Sequence, residues 1–181
     1  MQGYHRRDFL KISMATLAAA ILPRTALAAI QASDERRTLS FYNTHTGERI
    51  KTCYFENGDY CPDGLARINH VLRDHRTGTI SEIDPHLLDQ LHAIKRNVQT
   101  DQPFSVISGY RSPQTNRQLR QNGGAVARKS FHTMGQAIDV RLPGLSTQRL
   151  RRIALDLKAG GVGYYPRSDF VHLDTGPVRS W

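Results

Sequence analysis

The chain is short of cysteine, of acidic side chains and of long apolar runs. Two cysteines, Cys53 and Cys61, among 181 residues exclude a disulfide-built scaffold. One pairing remains open where a strand could turn back through Glu56-Asn57-Gly58-Asp59, and geometry decides whether it forms. No second Cys or His cluster lies at ligand spacing beside the pair, so it does not read as a zinc site. Only 16 acidic residues stand against 25 Lys and Arg, and so basic a surface favours anionic partners. There are no internal repeats and no low-complexity tracts. Past residue 28 no run is long and apolar enough to cross a bilayer, which takes about 20 residues.

What the N-terminus does contain is an export pattern. His5-Arg6-Arg7-Asp8-Phe9-Leu10-Lys11 precedes an apolar stretch from Ile12 to Leu22, and Ala26-Leu27-Ala28 gives a small-x-small cleavage signal. Paired arginines just before the apolar stretch point to the twin-arginine export machinery. Residues 1–28 are therefore expected to be a twin-arginine signal peptide and residues 29–181 the mature domain, delivered to the periplasm. The mature part keeps 21 basic and 15 acidic side chains. Its length suits one domain with one core. Beyond the inner membrane its polyanions are those of the cell wall, not nucleic acid.

Alternation around Thr46-Gly47 predicts a hairpin from strands over 39–43 and 49–55. Apolar residues at helical spacing follow Gly64. Asp84 caps a second helix that carries Leu87, Leu88, Leu91, Ile94 and Val98 on one face. A short strand, 104–108, runs into Gly109, and Ser112-Pro113 opens a polar helix. A strand at 137–142, a helix capped by Ser146, and strands at 162–165 and 170–174 complete the order. This pattern predicts a single α+β domain with a mostly antiparallel sheet, helices on one face and a cleft on the other.

Strand parity assigns residues to that second face. In the strand from Ala137, Asp139 points away from Ile138 and Val140; in the last strand, His172 and Asp174 point away from Val171 and Leu173. His132 precedes the first of these strands, in a segment that Gly135 allows to curl back. Two imidazoles and one carboxylate suit a Zn²⁺ ion that keeps a position open for water, an arrangement that hydrolyses bonds.

These residues sit in specific contexts: Ser108-Gly109-Tyr110-Arg111-Ser112, Ser130-Phe131-His132, Asp139 after six intervening residues, Phe170-Val171-His172, and Gly160-Gly161-Val162-Gly163-Tyr164-Tyr165-Pro166-Arg167-Ser168. The mature chain thereby resembles, over nearly its whole length, the zinc peptidases that cut bacterial wall peptides. That group includes D-Ala-D-Ala dipeptidases, carboxypeptidases and murein endopeptidases. The resemblance is nearest to murein endopeptidases and implies cleavage of L,D cross-links between two meso-diaminopimelate residues. It also implies His132, Asp139 and His172 as ligands of one Zn²⁺. Arg111 would bind a substrate carboxylate or the oxyanion, and Asp169 or Asp174 would act as general base, with Tyr110 and Ser130 as further substrate contacts. A carboxypeptidase or dipeptidase on the same scaffold, or a non-catalytic peptidoglycan-binding module, are the alternatives.

Overall fold

The computed structural model describes residues 35–123 and 126–181. The export leader expected over 1–28 lies outside the described residues. The elements run β1 (Arg37–Asn43), β2 (Arg49–Glu56), β3 (Asp59–Tyr60), α1 (Pro62–Val71), α2 (Pro85–Val98), β4 (Phe104–Ser108), α3 (Pro113–Gln121), a 3-10 turn (Phe131–Met134), β5 (Ala137–Arg141), α4 (Thr147–Leu157), β6 (Gly161–Tyr165), a second 3-10 turn (Pro166–Ser168), β7 (Phe170–Asp174) and β8 (Arg179–Ser180).

The strands form one sheet in the order β3-β2-β1-β4-β5-β7-β6-β8. Five neighbouring pairs are antiparallel; β1–β4 and β6–β8 are parallel. The expected α+β architecture is observed, with two parallel joins that local alternation does not reveal. Helix boundaries follow their caps. Asp84 accepts from the His86 N–H, Ser112 from Thr115 and Ser146 from Arg149, each closing an orphan donor of a first turn. Leu39, Phe41, Val106, Ile138, Val140, Val171 and Leu173 supply the sheet's part of the core, and Leu87, Leu91, Ile94, Leu150 and Ile153 supply the helices' part. Each of these side chains buried from water contributes about 1.5–3 kcal/mol. The opposite parity of β5 and β7 is left to polar residues, which sets up the site.

Cys53 on β2 and Cys61 beside α1 are both free, half-buried thiols. Their sulfurs and a Glu56 carboxylate oxygen lie within 4.8 Å of one another.

Candidate metal centre

The centre is assembled from two adjacent strands and two cross-tied loops. β5 and β7 pair with Asp139 opposite His172, so both side chains rise from the same sheet face. His132 arrives on the 3-10 turn, which Gly135 ends at φ 69°. A Cβ on Gly135 would sit 1.9 Å from the Glu82 carbonyl oxygen, so neither the conformation nor the space admits another residue. The loop after β4 is fixed to the same turn. The Tyr110 N–H donates to Leu72 O at 2.8 Å and the Arg111 N–H to His132 O at 3.1 Å.

His132 Nδ1 lies 2.8 Å from the Gly109 carbonyl oxygen. A carbonyl only accepts, so Nδ1 carries the proton and Nε2 presents a lone pair. His172 is turned the other way. Its Nε2 lies 3.1 Å from Asp174 Oδ2, which leaves Nδ1 facing the cluster. His132 Nε2 is 3.3 Å from His172 Nδ1 and 3.3 Å from Asp139 Oδ2, and His172 Nδ1 is 2.8 Å from Asp139 Oδ1. Three buried groups thus aim electron pairs at one point, all within 4.8 Å. That donor set fits a divalent cation.

Asp174 is the outer support of His172. Its side chain is fully buried. Its oxygens accept from the Gly161 and Gly176 N–H groups at 3.1 and 2.9 Å and from Arg179 at 3.0 and 2.6 Å, in addition to the imidazole. Burial opposes ionisation of Asp174, but the His172 and Arg179 hydrogen bonds outweigh it and hold the carboxyl far below the usual range. Burial likewise opposes charge on Asp139, and the two imidazoles reverse it. For His172, desolvation pulls the pKa down, yet Asp139 and Asp174 on its two nitrogens raise it overall.

The cluster floors a cleft of about 390 Å³. Arg111 and Ser130 line it, as expected, together with Phe131, Tyr165, Phe170, Trp181, Lys129 and Arg179. Arg111 reaches Asn116 Oδ1 and Ser108 Oγ only at 3.5 and 3.4 Å, and its buried Nε has no partner. Desolvation lowers its pKa, opposed by the charge of Asp139. Such a guanidinium is a half-satisfied anion site.

Three expected residues stand apart from the open face of the cleft. Asp174 lies behind His172 with its oxygens engaged. Asp169 is exposed and paired with Arg141 at 3.0 Å. Tyr110 packs against the core. Trp181 is the residue that sequence reasoning missed. Its backbone joins β6 through Tyr164 N–H to Trp181 O at 3.0 Å. Its indole donates to Tyr165 Oη at 2.9 Å and lies 5.3 Å from the His172 ring. Gly163 makes room for it, since a Cβ there would meet the indole at 2.8 Å.

Fold and centre together define a metallopeptidase class. The family model described as peptidoglycan L,D-endopeptidase MepK, from peptidase family M15, matches residues 31–181. A protein of Escherichia coli K12 named peptidoglycan L,D-endopeptidase MepK is 46% identical over 177 residues, covering 98% of this chain and 97% of its own. A Shigella flexneri protein of the same name shows the same identity and coverage. A Haemophilus influenzae protein named probable peptidoglycan L,D-endopeptidase MepK is 36% identical over 178 residues, covering 98% and 95%. The chain belongs to this MepK family of peptidases.

Proposed function

We propose that this protein is an exported, zinc-dependent murein endopeptidase that hydrolyses the L,D cross-link between two meso-diaminopimelate residues and so permits wall growth. The observation that carries the reading is the convergence of His132 Nε2, Asp139 and His172 Nδ1 at the floor of a cleft whose wall holds the half-satisfied guanidinium of Arg111. The relatives' names, at 46% and 36% identity over nearly the full chain, support the bond type.

His132, Asp139 and His172 would hold the metal. Bound there, zinc would supply Lewis acidity and a nucleophilic water near neutral pH. Gly109 O fixes the tautomer of His132, and Asp174, itself clamped by Arg179, fixes that of His172 and increases its basicity as a donor. Arg111 receives negative charge, either the oxyanion that develops at the scissile carbonyl or a carboxylate beside it. Ser130 starts the turn that carries His132 and borders the cleft. The aromatic wall of Phe131, Phe170, Tyr165 and Trp181 excludes water from one side and offers flat surface to the peptide.

The twin-arginine route and the leader at 1–28 belong to the same reading. Arg6-Arg7, the apolar stretch and Ala26-Leu27-Ala28 support both, while relatives named for action on peptidoglycan, a polymer outside the inner membrane, support export alone.

Metal content tests the site. Purified mature protein is expected to hold one zinc per chain, and His132→Ala and Asp139→Ala proteins to lose both zinc and turnover of cross-linked wall peptides while keeping their fold. Undiminished cleavage by either variant contradicts the assignment.

A further inference from the structure

Beside the metal cleft lies a second concavity of about 500 Å³. Arg117 and Arg120 of α3 and Arg128 of the following segment line it, with Asn116 and Thr133. Arg117 and Arg120 are three residues apart and share one helix face. All three arginines are exposed, and none forms an ion pair among the described residues. The sequence supplies no acid along this segment. From Asp101 to Asp139 no acidic residue intervenes, while Arg111, Arg117, Arg120, Arg128 and Lys129 all fall between them. Like charges brought to one hollow repel each other, and an anion with more than one acceptor relieves that repulsion.

The hollow and the cleft share a wall. Asn116 Nδ2 donates to Ala127 O at 3.2 Å, and Asn116 Oδ1 is the acceptor for Arg111 Nη1. Along this segment Ala127 and Lys129 line the cleft, whereas Arg128 lines the hollow. A peptide leaving the cleft past Arg111 therefore meets the arginines next.

We propose that this hollow is a subsite for the carboxylates of an acidic peptide, the part of the wall stem that extends away from the scissile bond. The inference rests on the murein reading above and adds a recognition element to it. Guanidinium forks match carboxylates bidentately. Continuity with a cleft that accepts peptide selects a peptide carboxylate over the phosphates of an anionic polymer.

The test uses full mature protein and the Arg117→Gln/Arg120→Gln/Arg128→Gln variant. Titration calorimetry with an uncross-linked stem peptide reads the subsite without turnover, and the same peptide with its carboxylates amidated is the control. The parent is expected to prefer the free-carboxylate form by about tenfold, and the variant to lose that preference. With cross-linked dimers, KM is expected to rise by about tenfold with kcat within about twofold, as for lost uniform binding. Each single Arg→Gln variant should give an intermediate shift at an unchanged melting temperature. Equal preference in parent and variant overturns the proposal. So does a variant that loses binding to inorganic polyphosphate but not to the peptide. Should the parent cleave no dimer at all, the enzymatic reading fails, and the calorimetric arm still decides the subsite.

Discussion

At the scale of single residues, the chemistry depends on which nitrogen of each histidine carries its proton. Gly109 O settles this for His132 and Asp174 for His172. Replacing Asp174 with Asn removes the anion that orients His172 and leaves Arg179 without its partner. Zinc affinity is then expected to fall by about 10- to 100-fold, with turnover recovered at high zinc concentration. Asp169→Asn is expected to keep turnover and zinc content, because that carboxylate engages Arg141 outside the cleft. Competition with a zinc chelator, followed by kinetics on cross-linked peptides, separates the two. Arg111→Lys keeps the charge but not the planar fork, so kcat/KM should fall by about 10- to 100-fold while zinc remains bound. The meeting of Asp139 and His172 on one face was legible through strand parity, whereas His132 was singled out by the resemblance of its Ser-x-His motif. The standing of the two other carboxylates was not legible. Asp174 has the same parity as His172, and only its five contacts show that it lies behind the ring. Trp181 was also illegible, because its place follows from the parallel pairing of β8 with β6, which no local pattern encodes.

At the scale of elements, α3 is held to the site by one carboxylate. Asp74 is buried, and it accepts from the Ser112 N–H at 2.9 Å and the Arg76 N–H at 2.9 Å. Ser112 caps α3 and follows Arg111, so Asp74 also fixes where the guanidinium starts. Burial raises the pKa of Asp74, but the bonds from Ser112, Thr115 and Arg76 dominate and lower it well below the usual range. A folded pKa below the unfolded one gives stability that is complete above about pH 4 and is lost as pH falls through the folded value. Asp74→Asn should therefore cost about 1–3 kcal/mol at neutral pH. Its melting temperature should also decline less than that of the parent between about pH 5 and pH 2. Thermal melts across that range check both expectations. The helices themselves were readable from Asp84, Ser112 and Ser146, whose caps appear as expected. The 3-10 turn at Phe131–Met134 was readable only as a segment able to curl, because its geometry depends on contact between Gly135 and Glu82 across the fold.

At the scale of the whole molecule, the sheet divides labour between its faces. One face is apolar and packs α1, α2 and α4; the other carries the metal ligands at its centre, with α3 and its arginines alongside. The antiparallel character of the sheet followed from the order of elements. The order β3-β2-β1-β4-β5-β7-β6-β8 did not, since the parallel join of β1 to β4 spans sixty residues of chain. The 21 basic and 15 acidic side chains of residues 29–181 suit an acidic polymer without defining the bond that is cut. The bond type is indicated by the names of the relatives. The most direct measurement is mass spectrometry of purified cross-linked wall peptides after digestion with the zinc-loaded mature protein. The account predicts that L,D-linked dimers become monomers, that a chelator stops the conversion and that zinc restores it. Intact L,D-linked dimers in the presence of bound zinc, or cleavage that continues after complete chelation, would contradict it.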